Sequence, residues 1–144
     1  MSLRANHPSV DDLQRVPLLV TLTVRQLERL AGHLDVREVG SGEMLVRQDE
    51  KARRFAVLAK GTAKVTVGDD VVVGWLYRHD FFGEMGLLAS GRRGATVTAL
   101  EPCTVWEMDR RAFEQLEREH PEIASVIHEA AEDRRALDAR LLTR

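Results

Sequence analysis

Apolar positions follow three successive patterns along the chain, and each predicts a different kind of element. Up to residue 34 they recur at helical spacing, with Val24, Leu27, Leu30, Ala31 and Leu34 on one stripe. Thr23 and Gln26 stand ahead of that stripe as a capping box, their side chains satisfying backbone N–H groups at the helix start. A shorter helix carrying Val10 and Leu13 precedes it, and Pro17 separates the two. From Val36 to about Met108 the pattern shortens to strand-like runs: Met44 to Arg47, Phe55 to Leu58, Ala63 to Val67, Val71 to Trp75, Ala95 to Leu100 and Cys103 to Met108. Gly40, Gly42, Gly61 and the turn Gly68-Asp69-Asp70 punctuate them. Many short strands joined by tight turns predict a mainly β fold with flanking helices, an antiparallel β-roll of the jelly-roll kind.

Beyond Met108 the helical period returns. Asp109 is a suitable N-cap for a helix from Arg110 to Glu119, and Pro121 fits the first position of a last helix reaching Leu142. On that helix Ile123, Ile127, Ala130, Arg134, Leu137 and Leu141 share one seam at alternating four- and three-residue spacing. The seam needs a cover, either the roll itself or a second copy in a homodimer. Trp75, Trp106, Phe55, Phe81 and Phe113 are expected to fill the core.

Composition narrows the function classes. A chain of 144 residues with 44% hydrophobic content suits one domain over residues 1–144, divided into N-terminal helices (1–34), a β-roll (35–108) and closing helices (109–144). The formal charge of -2 supplies no broad basic field for nucleic acid or an anionic membrane, so any anion must be held locally. Cys103 is the single cysteine and lies in an apolar run, which fits core packing in a reducing cytoplasm. No apolar stretch approaches the roughly 20 residues of a membrane span. His7, His33, His79, His120 and His128 lack the spacing of metal ligands, and no Ser, Cys or Asp sits in a nucleophile motif. These features point to a binding module, not an enzyme, with no metal.

The chemistry concentrates between Phe82 and Ala99, where the strand pattern breaks into Phe82-Gly83-Glu84-Met85-Gly86-Leu87-Leu88-Ala89-Ser90-Gly91-Arg92-Arg93-Gly94-Ala95-Thr96-Val97-Thr98-Ala99. Gly83 and Gly86 let a ligand approach the backbone, and a helical turn after Glu84 can aim free N–H groups at a phosphate. Arg93 adds a planar cationic fork that matches two phosphate oxygens. Glu84 would be repelled by that anion unless it faces a hydroxyl, and a ribose 2′-hydroxyl is the natural candidate. Phosphate and ribose together mean a nucleotide. Arg92 reads as a solvated loop cation, because its side chain points away from that of Arg93 in an extended stretch.

This segment resembles the phosphate-binding cassette of cyclic-nucleotide-binding domains, the family of catabolite activator protein, protein kinase A regulatory subunits and cyclic-nucleotide-gated channels. The resemblance runs from Pro17-Leu18-Leu19 to about Arg135 and includes Gly42-Glu43, Gly61, Phe113 and Pro121-Glu122. It implies an eight-stranded antiparallel β-roll with N-terminal helices and a C-terminal helical pair, binding cAMP or cGMP and catalysing no reaction. On the same resemblance Glu84 accepts from the ribose, Arg93 pairs the cyclic phosphate, N–H groups near Gly86 and Leu87 complete the phosphate shell, and Ala95 lies beside it; Gly83 and Met85 belong to the same cassette. Members that favour cGMP often place a hydroxyl just after the arginine; Gly94 stands there, which tilts the expectation to cAMP. Arg134 matches a position from which some channel-type relatives cover the purine, or else it lays its stem along the seam and pairs with Asp138. Asp49 and His79 depart from the family, which commonly has glycine there. Two rivals remain: the sensing half of a transcription regulator whose DNA-binding output domain follows, and a ligand-free scaffold dimerising through the last helix.

Overall fold

The computed structural model describes residues 7–47, 54–82 and 95–130. Helix α1 (Val10–Gln14), a 3-10 turn (Pro17–Leu19) and helix α2 (Val24–Ala31) come first. Strands β1 (Asp35–Val39), β2 (Met44–Val46), β3 (Arg54–Lys60), β4 (Ala63–Val67), β5 (Val71–Leu76), β6 (Phe81–Phe82), β7 (Thr96–Ala99) and β8 (Cys103–Asp109) follow. Helix α3 (Arg110–Glu119) and a further helix, α4, over residues 121–130 close the described chain.

Local chemistry sets the helix starts. The Thr23 hydroxyl accepts from the Gln26 N–H at 3.1 Å while Gln26 Oε1 accepts from the Thr23 N–H at 2.9 Å, the reciprocal pair expected of a capping box. Asp109 caps α3 by accepting from the Ala112 N–H at 2.8 Å. Pro17 opens the 3-10 turn, where its missing N–H costs nothing.

Among the described residues the strands form two four-stranded antiparallel sheets, ordered β1-β8-β3-β6 and β2-β7-β4-β5. The first sheet divides its side chains by parity, since successive residues of a strand point to opposite faces. Phe55, Val57, Ala59, Trp106 and Met108 face the helices and pack with Leu13, Leu27, Leu30, Phe113 and Leu116. Ala56, Leu58, Cys103 and Val105 face the interior of the roll with Leu76, Val97 and Ala99 of the second sheet.

Several expectations are corrected. Trp75 is 55% exposed, not core: β5 has a neighbour on one side only, and Trp75 projects outward with the exposed Val71 and Val73. Val24, counted in the α2 stripe, is exposed at the first turn, whereas Leu27, Leu30, Ala31 and Leu34 are buried. Strands β1 and β6 were not among the expected runs. The first mixes Asp35, Arg37 and Glu38 into its valines, and the second has two residues. On the last helix, whose cover was left open, the seam residues Ile123 and Ile127 are buried in the helix-side core with Ala124 beside them, and Ala130 is partly buried.

Candidate nucleotide site

Of the site residues expected from sequence, Gly83, Glu84, Met85, Gly86, Leu87, Arg93, Gly94 and Arg134 lie outside the described residues. Ala95 is described and half-buried, immediately ahead of β7. The flanks of the segment are well defined. Phe82, on edge strand β6, is buried in the interior cluster, and Val97 and Ala99 on β7 are buried in the same cluster. The segment joins β6 of the first sheet to β7 of the second in the order of the chain.

Register fixes what stands beside its entry. Phe82 pairs with Ala56, Ala56 with Glu107 and Glu107 with Asp35 across the first sheet. Glu107 shares the interior parity of Val105, so its carboxylate needs a partner. Arg37 of β1 supplies one, with Nε donating to Oε1 at 2.8 Å and Nη2 to Oε2 at 3.3 Å, a forked pair. Arg37 also donates through Nη1 to Glu43 at 3.3 Å, and the other Glu43 oxygen accepts from the Gly40 N–H at 3.2 Å. The ion pair joins residues 70 apart in sequence, and sequence reasoning missed it for that reason. Gly42 adopts φ +86°, which suits glycine, and its N–H donates to the Ala99 carbonyl at 2.8 Å. The Arg37–Glu43 contact and the Gly42 turn thus anchor β2 and the exit of β7 to the first sheet.

The turn before β6 is pinned with equal care. The Leu58 N–H donates to Asp80 O at 2.8 Å, the His79 N–H donates to Leu58 O at 2.6 Å, and Asp80 Oδ2 accepts from the Tyr77 N–H at 2.7 Å. His79 holds φ +76°, a left-handed conformation that disfavours a residue with Cβ. Burial, then the charges of Arg78 and Arg15, lowers its pKa below 6.5.

The described cluster between the two sheets is apolar. Around the interior cluster Leu45, Val46 and Val65 pack while remaining partly exposed, and the buried residues between them include the small Ala56, Ala63 and Ala99. Cys103 is a packed thiol: burial, then Glu101, pushes its pKa up, and Sγ donates to the Glu101 carbonyl at 3.1 Å. Among the described residues no cluster of three or more His, Cys, Asp or Glu side chains could hold a metal ion. No helix among them is long and apolar enough to cross a membrane.

A two-sheet β-roll with a Phe-Gly-Glu sequence running to Arg and small residues between β6 and β7 marks a class of nucleotide-binding domain. Residues 36–120, more than half of the chain, match the model of the cyclic nucleotide-binding domain, and the chain belongs to that family. It is 35% identical over 112 residues to a cAMP-dependent protein kinase regulatory subunit of Mycosarcoma maydis, covering 72% of this chain and 21% of that protein. It is 33% identical over 116 residues to the cAMP-activated global transcriptional regulator CRP of Pasteurella multocida, covering 77% of this chain and 54% of the relative. Among solved structures, cAMP-bound PfPKA-R (141-441) superposes with a TM-score of 0.76 at 27% identity, covering 92% of this chain and 45% of that one. The chain thus spans between a fifth and about half of the length of these curated relatives, which are regulatory proteins by name.

Proposed function

We propose that the chain is a single domain that binds a cyclic nucleotide, cAMP in preference to cGMP, and converts occupancy into movement of its closing helices. Glu84 takes the ribose hydroxyl, Arg93 the cyclic phosphate, and N–H groups near Gly86 and Leu87 the remaining phosphate oxygens, with Ala95 alongside. The observation that carries this reading is the family match across residues 36–120, which contains the whole cassette, on a roll whose interior flanks, Phe82 and Val97, are built in. Gly94 offers no hydroxyl to a guanine, which favours adenine. The helices respond because α3 and α4 share one buried cluster with β3 and β8, so a ligand that favours one arrangement of the cassette shifts theirs by its differential affinity. Arg134 closes over the base in the liganded arrangement.

Isothermal titration with cAMP and, separately, cGMP tests the reading. Saturable binding with cAMP the tighter is expected, and Arg93→Ala is expected to cost about 2–5 kcal/mol, the range for truncating one partner of a buried charge pair. Absence of heat and of any thermal shift with both nucleotides would overturn it and move the ligand-free scaffold forward.

A further inference from the structure

A cavity of about 280 Å³ lies on the opposite face of the first sheet from the cassette flanks. Its floor is Ala59 and Trp106, both of helix-side parity, whereas Phe82 and Ala56 face the roll interior. Arg15 at the end of α1, Lys60 at the end of β3 and Arg78 in the turn before β6 stand around it. None of these three cations takes part in the ion pairs found among the described residues. Asp12 is the one carboxylate in the lining, so the three fixed cations leave the rim positive by two charges when the histidines are neutral.

Three exposed cations from three separate elements, without an ion-pair partner among the described residues, converge on a partly apolar floor and give the rim a positive potential that an anion complements. His79, also in the lining, is kept at φ +76° where glycine would be relaxed. Strain of that kind gathers where a side chain is being positioned for a ligand. Guanidinium forks match phosphate oxygens, and a dianion balances the rim charge. The volume lies at the foot of the roughly 300–1,000 Å³ range of ligand pockets, which suits a small organic phosphate.

We propose that this cavity binds a small phosphomonoester, its phosphate held by Arg15, Arg78 and Lys60 and its organic body resting on Trp106 and Ala59. Such a ligand bridges α1, β3 and the turn that leads into β6, and so ties the N-terminal helices to the entry of the cassette. The site is independent of the nucleotide reading: it lies across the sheet and shares no residue with the cassette.

The test is titration of the isotope-labelled chain with phenyl phosphate, followed by amide chemical shifts. Saturable shifts at Lys60, His79 and Thr104 and at the Trp106 indole are expected. The double variant Arg15→Ser/Arg78→Ser, whose changes are on exposed side chains, should weaken the probe by at least about fivefold, as two partly screened charge contacts imply. Its cAMP titration should match that of the parent chain. Inorganic phosphate should bind more weakly; equal affinity overturns the assignment of the floor to an organic body. Shifts confined to residues 83–94, no saturation at millimolar probe, or undiminished affinity in the double variant overturns the site itself.

Discussion

The two faces of the β1-β8-β3-β6 sheet are made of the same strands and serve different ends. Toward the helices the side chains are large: Phe55 and Trp106 are buried with Met108 and Val57, and Phe55 lies 6.2 Å from Phe81 between ring centroids. Toward the roll interior Ala56, Cys103 and Val105 meet Ala63 and Ala99 from the other sheet, with Leu58 and Phe82 the larger members of that face. Bulk packed against helices buries the apolar area that holds the fold. Small side chains on the inner face let the two sheets pack closely, and the residues that remain partly exposed there, Leu45, Val46 and Val65, are apolar. One strand thus contributes to two different cores by nothing more than the alternation of its side chains.

The largest expected effect breaks the outer face. Phe55→Ala removes a side chain 2% exposed at the centre of the helix-side core and should cost about 3–5 kcal/mol in urea unfolding, the transfer and cavity cost of a buried ring. Nucleotide affinity measured on the remaining folded fraction should change by less than stability does, through the helices alone. Loss of affinity without loss of stability would mean that the two faces are not separable in this way.

A somewhat smaller effect belongs to the inner face. Gly61 follows β3 at φ +96°, and a Cβ there would stand 2.6 Å from Cys103 Sγ and 2.8 Å from the Pro102 carbonyl oxygen. A backbone carbonyl and a buried thiol have little room to yield, so Gly61→Ala should destabilise by about 2–4 kcal/mol, from overpacking and the left-handed backbone together. Thermal unfolding would measure it, and a variant as stable as the parent would show that the inner face has slack.

Much of this arrangement was legible from the chain, and the division follows range in sequence. The Thr23–Gln26 box, the Asp109 cap and the β4–β5 turn, where Gly68 and Asp70 take positive φ, depend on neighbours within a few residues. The core positions Leu27, Leu30, Phe113 and Ile123 follow from period alone. Trp75 misled because its exposure depends on β5 being an edge, a matter of strand order that hydrophobicity does not encode. The Arg37–Glu107 pair was hidden because only antiparallel register brings β1 beside β8. For the candidate site, the cassette was conspicuous as a break in the strand pattern, and its flanks at Phe82 and Ala95 lie beside the ends of β6 and β7. The cation-lined cavity was not legible, since its charges come from an N-terminal helix, a strand end and a turn.

The smallest effect concerns His79, in the turn that leads into β6. Its N–H is bound to β3 while its side chain lines the helix-side cavity, and its backbone is left-handed. Replacement by glycine relieves about 1–2 kcal/mol of left-handed strain but frees an unfolded chain whose extra entropy costs about 0.5–1 kcal/mol, leaving net stabilisation of at most about 1.5 kcal/mol at pH 7.5. Acid should widen the gap. The folded-state pKa of His79 lies below 6.5, so as pH falls the unfolded chain takes up the proton first and the parent loses stability until the folded histidine also titrates. Glycine cannot pay that penalty, and melting curves at pH 7.5 and pH 5 should show the advantage of His79→Gly growing as the solution is acidified. An advantage that instead shrinks at low pH would mean that the protonated ring finds a partner in the fold, with Asp12 and Asp80 outweighing Arg15 and Arg78 around it.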